Sequence, residues 1–161
     1  VESGASRKSF APVDLQALLV DVVDFYEPLV EDAGGILRLD VQEGVQALGD
    51  GDLLASAVSN LVDNAIKYGG DADVTLEQLK DKVYIHIVDH GPGIPEEMRE
   101  FVFEPFKRLE HSRSRNSGGT GLGMTIAKII IEKHGGKIWL ENVEVPNTGL
   151  IVRIELPAIA T

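Results

Sequence analysis

The sequence predicts an α/β two-layer sandwich, in which helices pack on one face of a sheet. Three stretches carry apolar residues at helical spacing, and a glycine pair closes each of them. Between and after these stretches lie short segments in which branched aliphatic residues alternate with polar ones, as they do in strands. Helices and strands interleaved in this order indicate one sheet that is covered on one side.

The predicted elements follow one another along the chain. Helices are expected over residues 13–30, 52–68 and 121–134. Strands are expected over residues 36–41, 45–48, 74–79, 83–88, 137–141 and 150–156, with a hairpin turn at Lys80-Asp81. Residues 107–119 are polar and lack periodicity, which indicates a long mobile loop.

Length and composition are those of one globular domain, since 43% of the 161 residues are apolar and 25% are charged. The chain contains no cysteine, which excludes disulfides and cysteine-ligated zinc and fits a reducing compartment. No apolar run approaches the roughly 20 residues that a membrane helix needs, and residues 1–8 lack a signal-peptide core. We therefore expect a cytoplasmic domain.

The formal charge of −11 disfavours general binding to nucleic acids or anionic membranes. Residues 107–118 are an exception, because Lys107, Arg108, Arg113 and Arg115 face only one acidic residue of that segment. Such a local positive charge in an acidic protein suggests a polyphosphate ligand. A solvated loop explains the charges equally well.

The predicted second helix has a polar stripe beside its apolar face. At about 100° per residue, Asn60, Asn64, Lys67 and Tyr68 fall on one side. Asparagine is unfavourable inside helices unless its amide is used, and its oxygen suits Mg²⁺, which takes few protein ligands and adds phosphates and waters. For an isolated pair of asparagines, capping or bridging of nearby loops is the commoner role.

Two glycine clusters flank the basic segment. Asp89 ends a predicted strand just before Gly91 and Gly93, where its carboxylate could accept a hydrogen bond from the exocyclic amine of adenine or simply stabilise its turn. Residues 118–123 are glycine-rich and lead into the third helix, whose first N–H groups could bind phosphate. The alternative is a hinge without a ligand, and the spacing fits neither a Walker A loop nor a Rossmann motif.

Together these segments resemble four sequence boxes of sensor histidine kinases, in the family's order and spacing. The resemblance extends over about residues 10–157. The matching segments are residues 60–68 (N box), Asp89, Gly91 and Gly93 (G1 box), Phe103-Glu-Pro-Phe106 (F box) and Gly119-Thr-Gly-Leu-Gly123 (G2 box).

The resemblance implies the Bergerat fold of DNA gyrase, MutL and heat-shock chaperone ATPases. That fold has a mixed, mostly antiparallel sheet, three helices on one face and a mobile ATP lid, here residues 107–118. By similarity, Asn60 and Asn64 would bind Mg²⁺, and Lys67 and Arg113 would join them in catalysis. The implied ATP-binding residues are Asn64, Lys67, Tyr68, Asp89, Gly91, Gly93, Ile94, Phe106, Arg108, Gly119, Thr120, Gly121, Leu122 and Gly123.

The resemblance further implies a protein-histidine kinase domain that uses Mg·ATP. Related hydrolases usually carry a water-activating glutamate where this chain has Asn60, and an amide cannot act as that base. The implied acceptor is a histidine on a dimerisation hairpin, with relay to a response-regulator aspartate. Rival hypotheses are an ATPase of the same (GHKL) superfamily, a serine kinase of the anti-sigma type and a non-catalytic nucleotide-sensing module.

The phosphoacceptor itself is not expected in this chain. None of the four histidines, His86, His90, His111 and His134, has the acidic and proline context of an acceptor on a helical hairpin. Residues 1–11 are therefore expected to be a linker or the tail of that hairpin, and residues 12–161 the catalytic domain. We expect the isolated domain to be monomeric, and the parent to be a homodimer that could be the cytoplasmic part of a membrane-bound sensor.

Overall fold

A computed structural model describes residues 10–93, 123–144 and 147–159. The described elements, in chain order, are β1 (Ala11–Asp14), α1 (Leu15–Asp32), β2 (Leu37–Val41), β3 (Gln46–Gly49), α2 (Gly51–Gly69), β4 (Ala72–Leu79), β5 (Lys82–Asp89), α3 (Gly123–Lys133), β6 (Lys137–Asn142) and β7 (Leu150–Pro157). The predicted helices and strands are confirmed, with ends that differ by a few residues. None of the described helices is long and apolar enough to cross a membrane.

The main sheet has five strands in the order β2-β4-β5-β7-β6. Strands β2 and β4 are parallel, and the other three pairings are antiparallel. Strands β4, β5 and β7 bury every second residue, because the helices cover one face of the sheet and leave the other open. The prediction of a mixed, mostly antiparallel sheet with helices on one face is therefore confirmed.

The chain also forms a small ribbon that the sequence did not indicate. Strand β3 stays outside the main sheet and pairs antiparallel with β1, from Ala11 opposite Gly49 to Asp14 opposite Gln46. Val13 thus lies in a strand and not in the first helix. Helix α1 begins after Asp14, which accepts a hydrogen bond from the Ala17 N–H at 3.1 Å and so caps the helix.

Helix α2 lies between α1 and α3 and packs on the sheet. The Asp50 carboxylate caps its first turn by accepting from the N–H groups of Asp52 and Leu53, at 3.0 and 3.2 Å. Gly70 closes its last turn at a φ of 77°, a conformation that glycine adopts readily. Its buried residues are Leu54, Ala57, Val58, Leu61, Val62 and Ala65. The predicted apolar face is therefore in the core, and the stripe of Asn60 and Asn64 lies beside it.

Candidate functional site

Three elements meet at Asp89, the last residue of β5. Its Oδ1 accepts hydrogen bonds from the N–H of Gly91 at 2.9 Å and from the N–H of Leu150, the first residue of β7, at 3.3 Å. The end of α2 approaches from the helical layer through Gly69. Asp89 is only 5% exposed. The carboxylate is thus held at the edge of the sheet by backbone groups on two sides.

Glycines make this close approach possible. A Cβ on Gly69 would lie 2.7 Å from the Asp89 Cβ, and a Cβ on Gly91 would lie 2.5 Å from the backbone oxygen of Tyr68. Gly149 has a φ of 143° and touches the backbone oxygen of Asp89 with no room for a side chain. The sequence motif indicated Gly91, whereas Gly69 and Gly149 act through contacts that local pattern does not reveal.

Burial raises the pKa of the Asp89 carboxyl above its usual range. The hydrogen bonds from Gly91 and Leu150 and the nearby His90 act in the opposite direction, but burial outweighs them. Within the described ranges both backbone hydrogen bonds go to Oδ1. The carboxylate can therefore accept a further hydrogen bond at Oδ2, and a donor there would favour its ionised form.

The start of α3 faces the two asparagines of α2. A Cβ on Gly123 would lie 3.8 Å from both the Asn60 Cβ and the Asn64 Nδ2, and 3.9 Å from the Asn64 Oδ1. Both asparagines are half-buried. The first N–H groups of a helix have no partner within the helix and attract anions. Amide oxygens and helix N–H groups therefore come together at one place, between α2 and α3.

The other two residues of the stripe lie at the exposed end of α2. The Lys67 Nζ lies 2.9 Å from the Asp63 Oδ2, one turn earlier in the helix. Residues four positions apart are neighbours on a helix surface, so this is a contact between adjacent turns of α2. Tyr68 is 40% exposed and lies next to Gly69, which contacts Asp89 and the following loop.

Asn60 and Asn64 fit a hard cation that is bound mainly by phosphate and water. Both can present neutral amide oxygens, and Mg²⁺ commonly uses only one or two protein ligands. In residues 10–93, 123–144 and 147–159, no group of three or more His, Cys, Asp or Glu side chains is placed to hold a metal. A metal here would therefore depend on a phosphate ligand for most of its coordination and charge.

Several predicted site residues lie outside the described ranges. They are Ile94, Phe106, Arg108, Arg113, Gly119, Thr120, Gly121 and Leu122, together with the rest of the expected lid. Gly93 is described and has a φ of 79°, and a Cβ on it would lie 2.7 Å from the Asn142 Oδ1. Of the histidines, His86 lies in β5, His90 follows it, and His134 follows α3, as expected.

Comparisons with known proteins identify the family. Residues 49–160 match the family model described as histidine kinase-, DNA gyrase B- and HSP90-like ATPase. The sensor-like histidine kinase SenX3 of Mycolicibacterium smegmatis is 34% identical over 148 residues, which are 90% of this chain and 38% of the relative. The chain thus spans about two fifths of the length of this curated relative.

Solved structures are similar over nearly the whole chain. The mycobacterial sensor histidine kinase MprB matches with a TM-score of 0.82 at 30% identity, over 94% of this chain and 99% of that one. Histidine kinase ThkA, solved in complex with response regulator protein TrrA, matches with a TM-score of 0.78 at 29% identity, over 93% of this chain and 42% of that one. The chain belongs to the family of histidine kinase-, DNA gyrase B- and HSP90-like ATPases and has the Bergerat fold of histidine kinase catalytic domains.

Proposed function

We propose that this chain is the ATP-binding catalytic domain of a two-component sensor histidine kinase. It transfers the γ-phosphoryl group of Mg·ATP to a histidine on a dimerisation domain, which passes it to a response-regulator aspartate. The observation that carries the proposal is the meeting of Asn60 and Asn64 with the N-terminus of α3, together with the buried Asp89 at the adjacent edge of the sheet.

Asp89 recognises the adenine base through a hydrogen bond. Its Oδ1 is engaged by backbone N–H groups, so Oδ2 accepts from the exocyclic amine of adenine. Guanine has a carbonyl oxygen at the corresponding ring position and would leave a buried carboxylate without a donor. The Tyr68 side chain lies beside the base or ribose, and the glycines at 91 and 93 let the base approach the backbone.

The α2 stripe and the start of α3 bind the phosphates. Asn60 and Asn64 would hold Mg²⁺ through their amide oxygens, and the bound ion would neutralise part of the phosphate charge. The N–H groups near Gly123 donate to phosphate oxygens, as helix N-termini do. Lys67 exchanges its contact with Asp63 for a phosphate oxygen. Arg108, Arg113 and residues 119–122 complete the phosphate site in this proposal.

The chemistry is transfer to an external nucleophile. A ring nitrogen of the acceptor histidine attacks the γ-phosphorus, the bond from that phosphorus to the β,γ-bridging oxygen breaks, and ADP leaves with the bond electrons. The amide of Asn60 cannot take a proton from water, so this chain does not activate water at that position. Positioning and charge neutralisation supply the catalysis.

The acceptor and the regulator lie on partner domains. Residues 1–11 link the catalytic domain, residues 12–161, to the hairpin that carries the acceptor. The complex of ThkA with TrrA supports a receiver domain as the final partner. In this proposal the domain works in the cytoplasm, is monomeric when isolated, and uses neither nucleic acid nor a membrane surface as a ligand. Its formal charge of −11 supports the last point.

Incubation with radiolabelled ATP and Mg²⁺ tests the transfer. The isolated chain should remain unlabelled, and the dimerisation hairpin of the parent kinase should gain acid-labile phosphate when it is added. Strong labelling of the chain alone would show that the chain contains a phosphoacceptor of its own. Acid-stable phosphate would indicate a serine kinase, and rapid phosphate release without a hairpin would indicate an ATPase.

Two variants of α2 test the role of the asparagines. Asn64→Ala should abolish transfer and leave the circular dichroism spectrum unchanged. Ser56→Ala changes an exposed residue of the same helix and should transfer at the wild-type rate. If Asn64→Ala transferred phosphate normally, the proposed metal role of Asn64 would be wrong.

A further inference from the structure

His134 joins the ends of α2 and α3 that lie away from the phosphate site. It follows the last residue of α3, Lys133, and is only 7% exposed. Its Nε2 lies 3.1 Å from the backbone nitrogen of Asp50, the residue that caps α2, and its Nδ1 lies 2.8 Å from the Ile130 oxygen. Both ring nitrogens are therefore engaged by backbone groups of the two helices.

These contacts determine the form of the imidazole. A backbone N–H can only donate, so Nε2 must accept from Asp50 and carry no proton. The Ile130 carbonyl can only accept, so Nδ1 must carry the proton. His134 thus has the Nδ1–H tautomer, and the opposite tautomer would lose both hydrogen bonds at a buried position.

The surroundings hold this ring in place from several sides. Phe10 stacks on it with a centroid separation of 4.6 Å and an interplanar angle of 13°. Gly49, at the end of the β1–β3 ribbon, has no room for a side chain, because a Cβ there would lie 2.5 Å from the His134 Cδ2. The ring is therefore packed between the ribbon, α2 and α3.

Helices α2 and α3 lie antiparallel, and His134 and the phosphate site are at opposite ends of the pair. Gly123 at the start of α3 faces Asn60 and Asn64, and His134 after its end faces Asp50 at the start of α2. Sliding or rotation of α3 along α2 at the His134 end would move Gly123 relative to the asparagines, because a helix is nearly rigid over three turns.

We propose that His134 is a positioning residue for the phosphate site, acting through its Nε2 hydrogen bond to the Asp50 N–H. This bond sets how far along α2 the helix α3 lies, and so sets the position of the Gly123 N–H over Asn60 and Asn64. The inference deepens the proposed nucleotide function and rests on it for the binding readout. The placement of Gly123 can be measured without any nucleotide.

Two substitutions of His134 separate positioning from stability. His134→Gln can present an amide oxygen near the place of Nε2 and keep the bond to Asp50. His134→Asn is shorter and reaches only the Ile130 carbonyl, through its amide N–H. Each variant loses one hydrogen bond, so a purely structural role predicts similar effects for both. The positioning role predicts that only His134→Asn disturbs the phosphate site.

Titration calorimetry with Mg²⁺ and a non-hydrolysable ATP analogue measures the difference. We expect a three- to tenfold weaker affinity for His134→Asn, about the effect of one net hydrogen bond, and wild-type affinity within about twofold for His134→Gln. Equal losses in both variants, or unchanged affinity in both, would overturn the proposal. So would a larger loss in His134→Gln.

Nuclear magnetic resonance of the nucleotide-free protein gives an independent readout. The imidazole nitrogen shifts should report the Nδ1–H tautomer in the wild type, and the Gly123 amide should shift in His134→Asn but not in His134→Gln. An Nε2–H tautomer, or an unmoved Gly123 amide, would contradict the positioning role. A wild type that fails to bind the analogue, with these shifts as expected, would instead count against the proposed nucleotide function.

Discussion

Asp89 and His134 are the buried polar or charged side chains in the part of the chain that the structure describes, and their environments differ. His134 has a backbone partner for each ring nitrogen. Asp89 receives both backbone N–H groups at one oxygen, and its pKa is raised because burial outweighs those bonds. A buried carboxylate with a raised pKa lowers the stability of the fold and is therefore a candidate for ligand binding.

Asp89→Asn tests that role with almost no change in shape. The amide can still accept from Gly91 and Leu150, but its NH₂ group would meet the adenine amine, donor against donor. We expect Mg·ATP affinity to fall about 10- to 100-fold, as for the loss of a hydrogen bond to a charged group. Calorimetry measures this affinity, and an unchanged value would show that Asp89 does not bind adenine.

The same variant gives a stability prediction with a definite sign. A raised pKa means that the folded protein favours the protonated acid, so this stabilisation is complete below the unfolded pKa of about 3.9 and is lost as pH rises through the folded pKa. Asp89→Asn has no such group. From about pH 4 towards neutrality, wild type should lose stability relative to the variant in urea unfolding. A difference that moves the other way contradicts the raised pKa.

At the scale of elements, helix α2 connects the core to the site. Its apolar face lies in the core and its asparagines face α3, while its last residue, Gly69, packs against the turn that follows β5. The glycines at the two ends of α2 differ in how much space surrounds them. A Cβ on Gly69 would lie 2.9 Å from the His90 nitrogen, whereas one on Gly51 would meet nothing within 4 Å.

Substituting alanine at each end of α2 gives a matched pair. Gly69→Ala should lower the free energy of unfolding by about 1–3 kcal/mol, the usual cost of overpacking, and weaken nucleotide binding because it displaces the Asp89 turn. Gly51→Ala should leave binding unchanged and add up to about 1 kcal/mol of stability. Urea unfolding and calorimetry check both, and equal effects would show that the Gly69 contact is unimportant.

A network of polar side-chain contacts joins strands β5, β7 and β6 on the open face of the sheet. The Arg153 Nη1 lies 2.8 Å from the His86 Nδ1, and the Arg153 Nε lies 2.8 Å from the Glu141 Oε2. The Trp139 Nε1 donates to the same Glu141 oxygen at 2.9 Å. Burial and the Arg153 charge lower the pKa of His86, and the hydrogen bonds from Arg153 and Trp139 lower the pKa of Glu141.

This network predicts loss of stability in mild acid. A lowered histidine pKa stabilises the folded state above the unfolded pKa of about 6.5, and that contribution is lost as pH falls through the folded pKa. His86→Gln can still accept from Arg153 and does not titrate. Between pH 7 and 5, wild type should therefore lose more stability than His86→Gln in thermal unfolding. A greater loss in the variant would refute the assignment.

At the scale of the molecule, the proposed nucleotide site has one part in each layer. Asn60, Asn64 and the start of α3 belong to the helical layer, and Asp89 lies at the end of β5 beside β7. A nucleotide held there would join the helical layer to the sheet and would bind only the folded chain. Its binding should therefore stabilise the whole domain by mass action.

Thermal unfolding tests this coupling. At a nucleotide concentration 100 times the Kd, the gain is about 2.7 kcal/mol, which for a chain of this size raises Tm by about 5–11 °C. The shift should appear with Mg·ATP, should shrink when EDTA removes Mg²⁺, and should be absent with Mg·GTP. An equal shift with EDTA would argue against the asparagine metal site.

Much of the architecture could be predicted from residues that are close together in the sequence. The apolar face of α2, the asparagine stripe beside it, the β4–β5 hairpin and Asp89 at a strand end all depend on residues a few positions apart. Helical and strand periodicities act over that distance, so each pattern survives in the folded protein. Along β4, β5 and β7, buried side chains alternate with more exposed ones, as the sequence predicts.

The sequence by itself determined most of the elements, their apolar faces and the residue types of the proposed nucleotide site. Only the tertiary structure decided that β3 pairs with β1, that Gly123 lies over Asn60 and Asn64, and that His134 is buried between two helices. Those contacts join residues 32 or more positions apart. They follow from how whole elements pack, and periodicity carries no information about which distant backbone group a side chain meets.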